Sequence, residues 1–278
     1  MMNYKIAIIL GLSLAATAAT AQSVLFVGNS FTYMPRPMAG GVAELNDTAP
    51  GGVPALFHIL ARAGGRSPEV TMETVGGKNL EFHYKQRLGL IDKAWDIVVL
   101  QDHSTGPLIE KDGGESHDSF RQYAQKLRDA FAAKNPGVRV YLYETWGRPD
   151  LVLKGRFPSV ESMHDALHKA FPKAARDFSF AGWVPVGCAF AAAVREGIAD
   201  NPATPDVVEG ELGIWRKDNY HQSDIGAYLA ALLFYGRIYG EDPGKLPPDN
   251  AAARHVKLSP KDSMRLQALA WEQLQANP

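Results

Sequence analysis

The clearest structural signal in the chain is Ser23-Val-Leu-Phe-Val-Gly-Asn-Ser-Phe-Thr32, an apolar run that ends in a glycine and a short polar segment. Continuous apolar residues of this kind predict a short strand that is buried on both faces. A glycine at position 28 then lets the chain turn sharply, which brings the backbone N–H of Ser30 round to face a cleft. The sequence therefore predicts a buried strand over 23–28 with a serine at its carboxyl end.

Further segments repeat this pattern along the chain. Strand character recurs over 69–75, 95–100, 138–143 and 182–186, and helical periodicity covers 52–64, 116–134, 159–178, 222–239 and 259–276. Buried strands that alternate with amphipathic helices predict a parallel sheet with helices on both faces. We therefore predict an α/β fold, a three-layer α/β/α sandwich, in which ligands bind beyond the carboxyl ends of the strands.

Composition and charge narrow the class of protein. The 278 residues are 46% hydrophobic and 21% charged, which excludes disordered, collagen-like and coiled-coil proteins. The 29 basic and 30 acidic residues give a net charge of −1, and no basic stripe recommends a nucleic acid or an anionic membrane as partner. Without an internal repeat or a dividing linker, residues 22–278 are predicted to form a single domain.

The first 21 residues have the features of a cleavable signal peptide. Lys5 provides a short positive region, an apolar region follows over 6–19, and Ala19-Thr-Ala21 is a small-residue cleavage site. The apolar run is shorter than the roughly 20 residues that a membrane span needs, and no later run is long enough either. We predict cleavage after Ala21 and a periplasmic or secreted protein.

Cys188 is the one cysteine in the chain. A single cysteine excludes an internal disulfide and a cysteine-based metal cluster. Because the apolar stretch 186–193 surrounds it, the residue is predicted to be a buried structural thiol.

Two polar motifs near opposite ends of the mature chain indicate nucleophilic catalysis. Ser30 follows the first strand, and Asp218 stands three residues before His221 on a turn that enters a helix. At this spacing the carboxylate can reach Nδ1 of the imidazole, which leaves Nε2 free to accept a hydroxyl proton. Taken singly, the serine could instead cap a helix, and Asp218 and His221 could be a surface pair.

These motifs resemble those of the SGNH (GDSL-like) hydrolase superfamily. The segment Gly28-Asn-Ser30 matches the first conserved block of that superfamily, and Asp218-x-x-His221 matches its last block. The sequence Val27-Gly-Asn-Ser-Phe-Thr32 is most similar to a bacterial branch of largely uncharacterised secreted proteins. The nucleophile elbow of α/β-hydrolases is absent, because Gly-x-Ser-x-Gly does not occur around the serine. The resemblance implies a flavodoxin-like fold and a Ser30, His221 and Asp218 triad.

The resemblance also implies three donors to the oxyanion that develops during acyl transfer. They are the N–H of Ser30, the N–H of a glycine after the second strand, which Gly77 or Gly76 matches, and an asparagine after the third strand. The third block departs from the pattern, since Gln101 stands where a Gly-x-Asn-Asp motif is expected. Its amide is predicted to be the third donor, with Asn29 as the next candidate.

A metal site is the main alternative to serine chemistry. Spacings among His83, Asp102 and His103 match no compact ligand motif, and helix-face pairs such as His164 and His168 are more often solvated than metallated. We therefore predict no metal and no cofactor.

The substrate is less clearly encoded. Trp146 follows the fourth strand, where its ring could stack on a sugar or simply fill the core, and Asn29 is a second candidate for substrate contact. The resemblance implies a serine esterase acting on a small-molecule or carbohydrate ester, with acetyl as the expected acyl group. A lipase or thioesterase, and a non-catalytic glycan-binding protein, are alternatives on the same scaffold. The sequence leaves the oligomeric state open.

Overall fold

A computed structural model of the chain describes residues 21–34, 41–46, 50–112, 114, 116–204 and 208–278. The predicted signal peptide, apart from its last residue, lies outside these described residues. Six strands of the described chain form one parallel sheet. The strands are β1 (Ser23–Gly28), β2 (Val42–Glu44), β3 (Glu69–Thr74), β4 (Ile97–Leu100), β5 (Arg139–Tyr143) and β6 (Gly182–Val184).

Helices of very different length connect and cover these strands. They are α1 (Ser30–Tyr33), α2 (Gly52–Ala63), α3 (Leu80–Phe82), α4 (Leu88–Ile91), α5 (His117–Lys134), α6 (Pro149–Leu153), α7 (Val160–His168), α8 (Ala170–Asp177), α9 (Val186–Arg195), α10 (Asp224–Tyr239), α11 (Ala251–His255) and α12 (Pro260–Ala276). A π-helical segment joins α3 to α4, and 3-10 turns occur at Glu110–Asp112 and Pro243–Lys245. Among the described residues, no helix has both the length and the apolar character that crossing a membrane requires.

The strand order is β2-β3-β1-β4-β5-β6, so β1 lies between β3 and β4. Without the short edge strand β2, this is the doubly wound order in which ligands bind where the strand order reverses. The register places Gly28 beside Thr74 and Val27 beside Leu100. The segments that leave β1, β3 and β4 therefore emerge side by side at one edge of the sheet.

Alternate residues of β1 enter two separate hydrophobic cores. Val24 and Phe26 pack with α2, α9, α10 and α12 on one face of the sheet. Leu25 and Val27 pack with α5, α7 and α8 on the other face. The predicted three-layer α/β/α sandwich is confirmed, since both faces are covered by helices and all strands are parallel.

Several features of the fold differ from the prediction. The helix expected over 159–178 is divided into α7 and α8, because Pro172 has no N–H to donate to the carbonyl of His168. Strand β2, helix α9 and the short helices α1, α3, α4, α6 and α11 were not predicted. Val42–Glu44 is too short to show a period, and the apolar run that begins at Val186 resembles a buried strand as much as a buried helix.

Candidate active site

Ser30 is the first residue of α1 and lies directly beyond the carboxyl end of β1. Asn29 caps this helix, because its side chain accepts the N–H of Phe31 at 3.1 Å. The glycine at position 28 is required by close packing. A Cβ there would lie 2.5 Å from Oγ1 of Thr32 and 2.6 Å from Oε1 of Gln101. The turn thus holds the serine at the edge of the sheet where the strand order reverses.

The structure brings Ser30, His221 and Asp218 into one hydrogen-bonded line. Nε2 of His221 lies 2.9 Å from Oγ of Ser30, and Nδ1 of the same ring lies 2.8 Å from Oδ2 of Asp218. The second carboxylate oxygen accepts the N–H of Tyr220 at 2.9 Å and that of His221 at 3.0 Å. Asn219 makes this turn with a left-handed φ of 55°, a conformation that asparagine tolerates better than most residues.

The charge on Asp218 suits this arrangement. Burial alone would raise the pKa of the carboxyl, but hydrogen bonds from the His221 ring and from the backbone N–H groups of His221 and Tyr220 outweigh it and lower the pKa below its usual value. An ionised carboxylate accepts the Nδ1 proton of the imidazole. Nε2 is then left as an acceptor for the serine hydroxyl.

Gln222 and Arg148 hold the turn that carries Asp218 and His221 in place. The sequence did not indicate this role for either residue. Nε2 of Gln222 donates to the carbonyl of Phe31 at 2.8 Å and to that of Met34 at 2.7 Å. The guanidinium of Arg148 lies 3.7 Å from the centre of the Tyr220 ring. The only sequence signal for Gln222 is its place next to His221, because its contacts reach a segment far away in the chain.

The structure corrects the expectation that the amide of Gln101 stabilises an oxyanion. Its Oε1 accepts the backbone N–H of Asn29 and the hydroxyl of Thr32, both at 2.9 Å. Its Nε2 donates to the carbonyl of Asp102, and the side chain is fully buried. Gln101 therefore fixes the turn that carries Ser30 and does not face the cleft.

Asn29 and Trp146 are also turned away from a substrate. Nδ2 of Asn29 donates to the carbonyl of Lys78 at 2.8 Å and to that of Asp102 at 3.4 Å, which leaves no free amide proton. Trp146 is fully buried and lies between two aromatic rings, with centroids 4.1 Å from Phe31 and 4.8 Å from Phe190. The expected substrate contacts of both residues are therefore wrong. Asn29 fixes a turn, and Trp146 supports the nucleophile helix from the core.

Two backbone N–H groups stay as predicted oxyanion donors, those of Ser30 and Gly77. Ser30 opens α1, and the N–H of a first helical residue has no acceptor within its helix. Gly77 is exposed with a φ of 70°, and a Cβ there would meet nothing within 4 Å. Its neighbour Gly76 packs against Tyr33, where a Cβ would lie 2.9 Å from the hydroxyl. The bond from Asn29 to Lys78 keeps this glycine turn next to α1.

The residues first considered as a metal site do not converge. Asp102 accepts the N–H of Leu80 at 2.8 Å, and burial, opposed by that bond, raises the pKa of its carboxyl to about 6. His83 pairs with Glu73 in the interior. Burial and the charge of Arg148 lower the pKa of His103. Within the described ranges, the metal-ligating side chains that do converge lie elsewhere, around Glu144.

Comparisons with known proteins support the fold. No protein-family model matches the chain, and no curated protein matches it. A DUF4886 family protein from Bacteroides uniformis superposes with a TM-score of 0.60 at 16% identity, over 92% of this chain and 95% of its own. A candidate GDSL-like lipase from Parabacteroides merdae gives a TM-score of 0.54 at 15% identity, over 79% and 96%.

An acetylxylan esterase, Axe2 from Geobacillus stearothermophilus, is a further structural neighbour. It superposes with a TM-score of 0.52 at 15% identity, over 78% of this chain and 94% of its own. Similarity at these identities concerns the fold, and it agrees with the sheet order and the position of Ser30 at the end of β1. This chain therefore has the fold of the SGNH (GDSL-like) hydrolases.

Proposed function

We propose that the protein is a serine esterase that cleaves carboxylic esters through an acyl-enzyme intermediate. One observation carries the proposal. Nε2 of His221 lies 2.9 Å from Oγ of Ser30, while Asp218 holds the opposite nitrogen of the ring at 2.8 Å. A nucleophile, a base within hydrogen-bond reach and a group that orients the base are the parts that such catalysis requires.

In the proposed mechanism Oγ of Ser30 attacks the ester carbonyl and His221 takes the hydroxyl proton. The resulting imidazolium is stabilised by Asp218, whose carboxylate is ionised at neutral pH. His221 then returns the proton to the leaving alcohol as the tetrahedral intermediate collapses to an acyl-serine. Water, activated by the same histidine, releases the acid and restores the serine.

The negative charge that develops on the carbonyl oxygen is proposed to bind the N–H of Ser30 and that of Gly77. Each such donor is typically worth about 10²–10³ in rate. The side-chain amides of Gln101 and Asn29 are both hydrogen-bonded within the protein, so neither is proposed as a third donor to the oxyanion. We therefore expect a slower enzyme than one with a third donor.

The preferred substrate is proposed to be a short-chain ester, with acetyl as the acyl group and a carbohydrate as its carrier. The acetylxylan esterase among the structural neighbours supports this choice by analogy. The predicted cleavage after Ala21 supports a periplasmic or secreted location, where polysaccharide esters are accessible.

The test is hydrolysis of the para-nitrophenyl esters of acetate, butyrate and octanoate by the wild-type protein and by Ser30→Ala. The exposed Ser67→Ala is the matched control. We expect activity that favours acetate and is absent from Ser30→Ala alone. A preference for octanoate would instead indicate a lipase or thioesterase.

Labelling with a fluorophosphonate separates catalysis from binding. The reagent reacts with activated serines, so mass spectrometry is expected to find the adduct on Ser30 of the wild-type protein and none in Ser30→Ala. An unlabelled wild-type protein without esterase activity would contradict the proposal and favour a glycan-binding protein.

A further inference from the structure

We propose that Glu144, His164, His168 and Cys188 bind a Zn²⁺ ion in a tetrahedral site. One ligand atom from each of the four side chains lies within 4.8 Å of the others. This group, called the Glu144 cluster below, is separate from the Ser30, His221 and Asp218 line, and the proposed esterase mechanism uses none of its members.

The separations of the ligand atoms match a zinc tetrahedron. Oε1 of Glu144 lies 3.5 Å from Nδ1 of His164, 3.3 Å from Nδ1 of His168 and 3.5 Å from Sγ of Cys188. The sulfur and Nδ1 of His168 are 3.4 Å apart. Zinc–ligand bonds of about 2.0–2.3 Å imply edges of about 3.3–3.8 Å in a regular tetrahedron. Four of the six separations thus match the edges of a zinc coordination shell, and the two others lie within 4.8 Å.

Three rigid elements bring these ligands together. Glu144 follows β5 and is fixed by its N–H bond to the carbonyl of Val184 at 3.2 Å. His164 and His168 lie one turn apart on α7, and Cys188 stands in the first turn of α9. Ligands held on strands and helices keep their geometry better than ligands on free loops.

The packing between these elements depends on a glycine. A Cβ at Gly187 would lie 2.8 Å from Nδ1 of His164 and 3.0 Å from Oε1 of Glu144, with the carbonyl of Thr145 closer still at 2.3 Å. The absence of a side chain at this position lets the imidazole and the carboxylate approach the start of α9.

An unpartnered buried nitrogen points to a ligand. His164 is 6% exposed, and its Nδ1 makes no hydrogen bond, although Oε1 of Glu144 lies 3.5 Å away. A buried polar atom without a partner costs about 1–3 kcal/mol, so its persistence calls for an explanation such as an ion. Coordination by Zn²⁺ would satisfy this nitrogen.

The chemistry of the ligands also fits the ion. Imidazole, thiolate and carboxylate are the ligand types that zinc takes in proteins. On binding, Cys188 releases its thiol proton to solvent, and the thiolate together with the Glu144 carboxylate balances the two positive charges. The site is then neutral, as a buried site requires, because an unbalanced interior charge is costly.

Four protein ligands leave no open position, so the site is structural in kind. It connects the end of β5 to α7 and α9. Its ligand Glu144 stands two residues before Trp146, whose ring stacks on that of Phe31 next to the serine. Its expected effect is therefore on stability, which can be measured whether or not the esterase proposal holds.

The test begins with mature, tag-free protein that has been treated with a chelator and dialysed. Calorimetric titration with Zn²⁺ is expected to show one ion per chain, and saturating Zn²⁺ is expected to raise Tm, because an ion that binds only the folded state stabilises it. Replacement by Co²⁺ is expected to give intense tetrahedral d–d bands and a thiolate charge-transfer band.

The variants Cys188→Ser and His168→Gln test the ligands directly. Both changes preserve size, and circular dichroism confirms that each variant is folded before titration. Each is expected to lower Zn²⁺ affinity by more than the 10- to about 100-fold that loss of a second-shell partner costs. The charge-transfer band should vanish in Cys188→Ser. His255→Gln, on the exposed surface of α11, is the matched control and should bind like the wild type.

The proposal is overturned if the folded wild-type protein binds no Zn²⁺ after chelation. It is equally overturned if both folded ligand variants bind as tightly as the wild type, or if Co²⁺ gives a weak octahedral spectrum without a sulfur band.

Discussion

Histidine and carboxylate meet in two places in this molecule, and they meet in different ways. In the Ser30, His221 and Asp218 line, each ring nitrogen has one partner, and the contacts of 2.9 and 2.8 Å follow one another. In the Glu144 cluster, three side chains converge on a single carboxylate. In a line of contacts, the imidazole can take the serine proton while the carboxylate orients the ring, whereas a convergent set encloses a point. Arrangement therefore separates acid–base chemistry from metal binding when the residue types are similar.

The two carboxylates also differ in their access to water. The side chain of Asp218 is 46% exposed and that of Glu144 is fully buried. The triad therefore reaches solvent through its carboxylate, whereas the carboxylate of the cluster does not, although His168 beside it is 32% exposed. The difference agrees with the proposed roles, which are turnover for the first group and stability for the second.

The largest expected effect on catalytic activity comes from replacing the nucleophile. Ser30→Ala is expected to lower kcat/KM for para-nitrophenyl acetate by about 10³–10⁶, because the acyl-enzyme cannot form. The loss should exceed that in Cys188→Ala at least 100-fold, as steady-state kinetics can measure. Comparable losses in the two variants would remove the functional distinction between the two groups.

The next effect concerns the orienting acid. Asp218→Asn is expected to lower kcat by about 10²–10⁴, because the amide no longer holds the tautomer that leaves Nε2 as the acceptor. In the wild type, the pKa of Asp218 lies below its usual value, so the carboxylate stays ionised above about pH 4.

Above about pH 4, the ordinary range of an aspartate pKa, the acid limb of the wild-type profile of kcat/KM against pH should therefore show no proton uptake by Asp218. A slope of two in that range would mean that Asp218 also takes up a proton there. This result would contradict the direction of its pKa shift.

A third prediction concerns Gln101, which is expected to stabilise the turn that carries Ser30 and to take no part in the chemistry. Gln101→Met is expected to lower the free energy of unfolding by about 2–6 kcal/mol. The change leaves the Asn29 N–H and the Thr32 hydroxyl without their buried partner, at about 1–3 kcal/mol each, while the Asp102 carbonyl keeps its bond from Asn29. Urea unfolding measures the loss, and the exposed Gln275→Met is the control. Full stability with a selective loss of kcat would restore the oxyanion interpretation of Gln101.

The smallest expected effect comes from Asp102, a buried acid without the direct histidine contact that Asp218 and Glu144 have. Burial raises its folded pKa from 3.8 to about 6, so the folded state binds the proton more tightly than the unfolded state in this window. The contribution to stability is therefore full below about pH 4 and is lost as pH rises through about 6.

Asp102→Asn should remove this dependence while it keeps an oxygen that accepts the N–H of Leu80. Between about pH 4.5 and 6.5, the wild type is expected to lose about 2 kcal/mol of unfolding free energy relative to the variant. Urea titrations of both proteins at the two pH values measure the difference. Parallel pH dependences would show that the carboxyl has an ordinary pKa.

The sequence by itself determined the architecture and the line of candidate catalytic residues. Apolar runs such as 23–28 and the periodic segments between them are local signals, and they predicted the parallel sheet and both helix layers. The spacing of Asp218 and His221 is equally local, since a three-residue turn sets the reach of the carboxylate. Ser30 needed only its position after a strand, because the carboxyl ends of parallel strands lie at one edge.

Only the tertiary structure decided where the other polar and aromatic side chains point. Gln101 faces the turn of Ser30, and Trp146 lies under α1, because segments far apart in the chain pack there. His164 is buried against Glu144 and Cys188, although the i, i+4 pair alone favoured a solvated face. Helical spacing fixes which residues share a face, but the packing of β5, α7 and α9 determines what that face meets.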